Sequence, residues 1–277
     1  MSKRRNPKKD RTVRRRRPDA DSQPESRPAR WEPELSGLVM SGAAPESVPL
    51  IGAASVWLAR VAGVRGPAAG CVTACLVVRE ALAVFGITSR IEAVGVVAET
   101  SDGKRTMYGH PEGPQYNADG TFNGHTVLMV TGAHRLLDPT VQQFREVPRR
   151  ADAALPLIAP IGQLRDLVGY PAGTQLPIIR SDHVITYILL EPQYRQAWRS
   201  PAIDALAGEF RGQGEDVAAI VLELTRHLDG ERAALPYPRL RRQLAAIDGM
   251  ELADDPVEGC YFADPVTGKQ IRLTDVT

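Results

Sequence analysis

A cysteine that opens a helix constrains this chain more than any other feature. Gly66-Pro67 and Gly70 interrupt regular structure just before Cys71. Gly86 stands where a helix would end on a left-handed glycine. Between them Cys71, Cys75, Val78, Leu82 and Phe85 recur at helical spacing and form one apolar stripe. The spacing predicts a helix over 71–85 with that stripe buried. A strand reads at 90–98, another from His125 to Val130, and a return strand from His134 to Asp138. A one-sided helix followed by strands must lie on a sheet, so the expected class is α+β, with the Cys71 helix packed on an antiparallel sheet.

The hairpin sets a register. With Thr131-Gly132 as a two-residue loop, His125 falls directly opposite Asp138, with Cβ atoms about 4.5–5.5 Å apart. Residues 99–124 are polar and rich in Gly and Pro, and read as a long loop with a short hairpin near Asp119-Gly120. A loop of that length leading straight into His125 is expected to belong to a site.

Ser55 to Ala62 reads as a helix beside the next one. Residues 141–183 read as irregular with one or two strands, and Asp182 to Leu190 as a strand. The C-terminal region reads as helices at 194–211, 215–228 and 236–247, then a hairpin from Cys260 to Leu273. Val217, Ile220, Val221, Leu224 and Leu228 give the second of these helices one apolar face. The chain thus divides into three segments: 1–35 as a disordered basic tail, 36–190 as the core bearing the site, and 191–277 as a helical C-terminal extension with a terminal hairpin.

Charge is divided between tail and body. Residues 1–30 hold 12 Lys or Arg against 4 Asp or Glu, while the rest holds 22 basic and 29 acidic residues. Such a tail cannot bury enough surface to offset ordering entropy. It is read either as solubilising or as a contact for nucleic acid or an acidic partner through residues 1–30. No aromatic residue interrupts the basic run to stack on bases. Three cysteines do not make a disulfide framework, which points to a reducing compartment. No window approaches the ~18 apolar residues of a membrane span, and no apolar segment follows Arg14 to Arg17, so neither a membrane span nor a twin-arginine export signal is expected. A cytoplasmic location is the expectation.

The residue types fit thiol chemistry. A helix N-terminus supplies partial positive charge and free N–H groups, which lower a thiol's pKa and face a developing oxyanion. Cys71 is placed for both, His125 is the candidate base, and Asp138 the group that fixes its tautomer. Cys75, one turn inside the helix, is assigned to the core, and Cys260 to the last hairpin. His110, His134, His183 and His227 have no partner motif, although His134 could touch the site from the start of the return strand. Zinc held by Cys71, Cys75, His125 and Asp138 is the competing chemistry. No second Cys/His pair has the usual spacing, so no metal and no cofactor is expected.

Gly70-Cys71, the helix ending Val84-Phe85-Gly86-Ile87, Gly124-His125-Thr126-Val127 and Leu137-Asp138-Pro139-Thr140 together resemble the transglutaminase-like branch of the papain-like cysteine protease superfamily. The resemblance spans about residues 55–145, one third of the chain. It implies a papain-like core with Cys71 as nucleophile, His125 as base and Asp138 as orienter. The implied activity is that of a cysteine hydrolase or acyltransferase acting on a peptide, amide or ester through a thioester. The branch also contains members without catalysis, so the alternative is an inactive binding module with a recruiting tail. Two features depart from the pattern. Thr126-Val127 replaces the aromatic residue that often follows the family's histidine, and no glutamine precedes Cys71 in the folded region. Gln142 and Gln143 read as exposed loop residues, with lining the cleft as the other possibility.

Overall fold

The computed structural model describes residues 44–65, 70–109, 115–116, 122–147, 157–160, 170–180, 182–197, 200–228, 235–255 and 257–276. Contacts divide the chain into Met1–Arg30 and Trp31–Thr277. The tail expected at 1–35 lies outside the described residues, and all the described elements belong to the second unit.

Residues Ile91 to Ala98 are buried without a break, and the strand that holds them organises the sheet. This is β1, Ser89–Thr100. Its first half pairs with β5, His125–Val130, and its second half with β9, His183–Leu189. A tight turn at Ser101–Lys104 returns the chain as β2, Arg105–Tyr108, so the segment that reads as a long loop from 99 begins with a strand. β3, Gln115–Tyr116, and β4, Phe122–Asn123, form a small separate ladder, and the turn expected near Asp119-Gly120 lies outside the described residues. β6, Arg135–Asp138, β7, Leu157–Pro160, and β8, Gln175–Ile179, complete a seven-stranded sheet of order β7-β6-β5-β1-β9-β8, with β2 on β1. All its pairings are antiparallel.

Helices cover one face. α1 is Val48–Arg65 and α2 is Cys71–Val84. α2 lies on β5 and β1 through the stripe read from its spacing: Cys75, Val78, Leu82 and Phe85 are all at most 1% exposed. Burying an aromatic such as Phe85 contributes about 1.5–3 kcal/mol. The helix ends in a Schellman turn, with Ile87 N–H on Leu82 O at 3.0 Å and Gly86 at φ 73°.

The sequence reads one helix over 194–211, but Pro201 breaks it. Proline has no N–H for the preceding turn and pushes the residue before it out of helical geometry. Ser200 is extended at ψ 154°, leaving α3, Pro192–Ala197, and α4, Pro201–Glu209. α5, Arg211–Arg226, packs on both α1 and α2 and shares their apolar core. Glycines set that close approach: a Cβ on Gly214 would stand 2.5 Å from Glu80 Cβ, and one on Gly52 2.9 Å from Val221 Cγ1.

α6, Pro238–Ala246, is tied to the end of α2 by Gln243, whose amide donates to Val84 O at 2.9 Å and Leu273 O at 3.2 Å. The terminal hairpin has a third strand. β10, Glu251–Asp255, pairs with β11, Gly259–Ala263, which pairs with β12, Gln270–Ile271. Among the described residues no helix is long and apolar enough to cross a membrane.

Candidate active site

Cys71 is the first residue of α2 and is 6% exposed. Gly70 provides no side-chain cap, and the first helical bond runs from Ala74 N–H to Gly70 O at 3.1 Å. The N–H groups of Cys71, Val72 and Thr73 therefore have no acceptor within their own helix, and the helix dipole adds positive potential there. Cys75, one turn on, is fully buried and donates its thiol to Thr126 O at 3.5 Å.

His125 opens β5, 1% exposed, and its Nε2 lies 2.8 Å from Asp138 Oδ2. The register differs from the sequence expectation. The loop has four residues, Thr131–His134, with His134 left-handed at φ 48°, and Val130 pairs with Arg135. Asp138 is thus offset by two positions from the residue facing His125. An offset of two keeps both side chains on the same face of the sheet, so the pair still meets. His134 itself is exposed on the turn and does not begin the strand.

Asp138 is caged. Its Oδ2 also accepts the Tyr187 hydroxyl at 2.7 Å, and its Oδ1 accepts Thr140 N–H at 2.9 Å and Thr140 Oγ1–H at 3.3 Å. A fully buried carboxylate remains charged only when donors replace the lost water. The imidazole is walled by Phe144, edge-on with centroids 5.0 Å apart, and by Tyr187 at 6.3 Å. Tyr108 packs on Phe144 at 4.7 Å and donates to Glu146 at 2.8 Å.

The electrostatics separate the three thiols. Burial would raise the Cys71 pKa, but a hydrogen bond to His125, its charge and contacts to Thr126 bring it below the ordinary value of 9.0. Burial, with Cys71 beside it, pushes Cys75 well above that value. Burial, with Asp216 and Asp254 adding to it, pushes Cys260 up to about 12. For His125, burial pulls down, yet the Asp138 carboxylate and the Cys71 contact outweigh it and raise the ring to about 10. An anionic sulfur beside a protonated imidazole is the arrangement these shifts favour.

Gln143 reads from the sequence as an exposed loop residue or, alternatively, as one lining the cleft; its Nε2 lies 2.7 Å from His125 Nδ1 and 3.4 Å from Thr140 Oγ1. Tyr187 and Phe144 also join the site without being marked for it by the sequence reading, whereas Thr140 closes the Leu137-Asp138-Pro139-Thr140 motif. Asp-x-Thr carries a local signal, because an aspartate commonly bonds the backbone two residues on. For Tyr187 the only signal is its alternation with the equally buried Ile185 and Leu189, and nothing local reveals which strand β9 borders. His183 pairs with Asp182 and His227 with Glu223, both away from the site, and His110 lies outside the described residues. Among the described residues no group of three His, Cys, Asp or Glu is placed to hold a metal ion.

No family model, no curated protein and no solved structure matches this chain.

Proposed function

We propose that the protein is a cysteine-dependent hydrolase or acyltransferase, built on a papain-like or transglutaminase-like core and acting on an amide or ester carbonyl. The observation that carries this reading is the 2.8 Å bond from His125 Nε2 to Asp138, beside a helix start whose Cys71 thiol is lowered by that same imidazole. The Cys71 thiolate attacks the carbonyl carbon, and the carbonyl π pair moves to oxygen, facing the free N–H groups of the helix start. The tetrahedral adduct collapses by breaking the bond to the leaving nitrogen or oxygen, which takes the proton from His125 Nδ1. A thioester remains. Water or an amine then attacks it, giving its proton back to Nδ1, and the C–S bond breaks to restore the thiolate. Asp138 keeps the Nε2–H tautomer throughout.

The selectivity of the three thiols tests this. A thiol-reactive acyl probe is expected to label the wild-type chain, Cys75→Ala and Cys260→Ala, and to lose all labelling in Cys71→Ala. Equal labelling of all three variants would overturn the reading, and a wild-type chain that takes no label would favour a catalytically silent binding module.

A further inference from the structure

Gln143 stands at the one nitrogen that thiol chemistry needs. His125 Nε2 is committed to Asp138 at 2.8 Å, which leaves Nδ1 for the Cys71 sulfur, and Gln143 Nε2 lies 2.7 Å from that same atom.

The surrounding bonds fix which way the amide faces. The Thr140 hydroxyl donates to Asp138 Oδ1. That hydroxyl then has only lone pairs left for Gln143, 3.4 Å away, which must present its NH2 group there. One N–H therefore points to Thr140 Oγ1 and the other to Nδ1. A donor on Nδ1 requires that nitrogen to be bare, which is the neutral ring. The thiolate form requires the opposite, a proton on Nδ1 facing sulfur.

We propose that Gln143 is a positioning residue, a latch that competes with Cys71 for His125 Nδ1 in the resting site, opposing the ion pair that the Cys71 contact favours until the amide turns over or withdraws. The latch rests on the acyl-transfer reading for its purpose but not for its measurement. When the amide rotates by half a turn, its oxygen accepts the Nδ1 proton instead and the contact to Thr140 is given up. That contact, at 3.4 Å, is the longest in the chain of bonds and the easiest to lose. Gln143 is half-buried and sits at the end of the short 3-10 turn Val141–Gln143, where a side chain can turn without moving a strand.

The other groups facing the ring are Cys71 and Cys75 on α2, Asp138 on β6 and Tyr187 on β9, with Arg180 acting on Tyr187 from the end of β8. Asp138 stands at Nε2, and the donor that stands at Nδ1 is Gln143. Removing Gln143 thus removes, among the described residues, the competitor that favours the neutral ring.

Two measurements on the full chain test this. In Cys71→Ala, the His125 ring nitrogens are followed by NMR as pH rises. Adding Gln143→Leu, or Gln143→Asn where Leu misfolds, is expected to raise the pH at which the ring loses its proton by about half a unit or more, the scale of one hydrogen bond. In the wild-type cysteine background the same substitutions are expected to lower the pH midpoint of Cys71 alkylation by iodoacetamide. A glutamine with a purely structural role would lower the melting temperature and leave the ring midpoint in place, and that result overturns the latch. If the ring midpoint moves while Cys71 takes no label, the latch stands and the acyl-transfer reading fails. If Cys71 labels below the ordinary thiol pH while the ring midpoint stays, only the latch fails.

Discussion

The Tyr187 hydroxyl donates to Asp138 Oδ2 at 2.7 Å, the same oxygen that receives His125 Nε2–H at 2.8 Å. One carboxylate oxygen therefore takes two side-chain donors, from β5 and β9, while Thr140 holds the other oxygen. These bonds orient the carboxylate before any substrate arrives. Tyr187 is itself pushed well above its ordinary pKa, by burial first and then by the Asp138 charge, so it remains a donor.

The two ends of this bond are expected to fail differently. Tyr187→Phe leaves the carboxylate with its His125 and Thr140 donors. It should cost about 1.5–3 kcal/mol of stability, the range for a hydrogen bond to a charged group, and keep Cys71 reactive. Asp138→Asn turns an acceptor toward two donors and favours the ring tautomer with its proton on Nδ1. Turnover should fall by about 10³–10⁴-fold with the fold retained. Chemical denaturation and probe-labelling rates on the two variants check this, and equal loss of labelling in both would contradict it.

The helix that carries Cys71 is also packed closely at a point far from the site. Gly214 on α5 lets that helix lie against Glu80 and Ala81 of α2, where an added Cβ would stand 2.5 Å from Glu80 Cβ and 2.9 Å from Ala81 N. The latter neighbour is backbone and cannot swing aside. Gly214→Ala should destabilise by about 1–3 kcal/mol through overpacking, outweighing the better helix propensity of alanine. A thermal melt should show a lower midpoint, and an unchanged or raised midpoint would mean that α5 does not pin the cysteine helix.

Much of the site is legible in the sequence because its parts are local. The stripe from Cys71 to Phe85 is a periodicity, Gly86 a terminator, and His125 and Asp138 lie on one hairpin, where an error of two in register leaves both on the same face. The hidden parts depend on long-range order. β2 disappears within a polar stretch because Arg105–Tyr108 is largely solvent-facing and has little apolar alternation to show. The loop of four residues escapes a sequence reading because His134 adopts a left-handed conformation that non-glycine residues seldom take. Tyr187 and Gln143 join the site only through the pairing of β9 with β1 and the turn after Asp138. Neither depends on a pattern within its own segment.

The most direct test is the pH profile of Cys71 alkylation by iodoacetamide, read by peptide mass spectrometry on the full chain between about pH 4 and pH 10, alongside His125→Ala. A lowered thiol pKa means that the reactive thiolate persists below the ordinary value and is lost only as pH falls through the shifted one. The expected midpoint in the wild type is below 9.0, and His125→Ala should carry it above 9.0, since burial then acts without its counterweight. A wild-type midpoint at or above 9.0, indifferent to the loss of His125, would contradict the proposed pairing of this thiol with this imidazole.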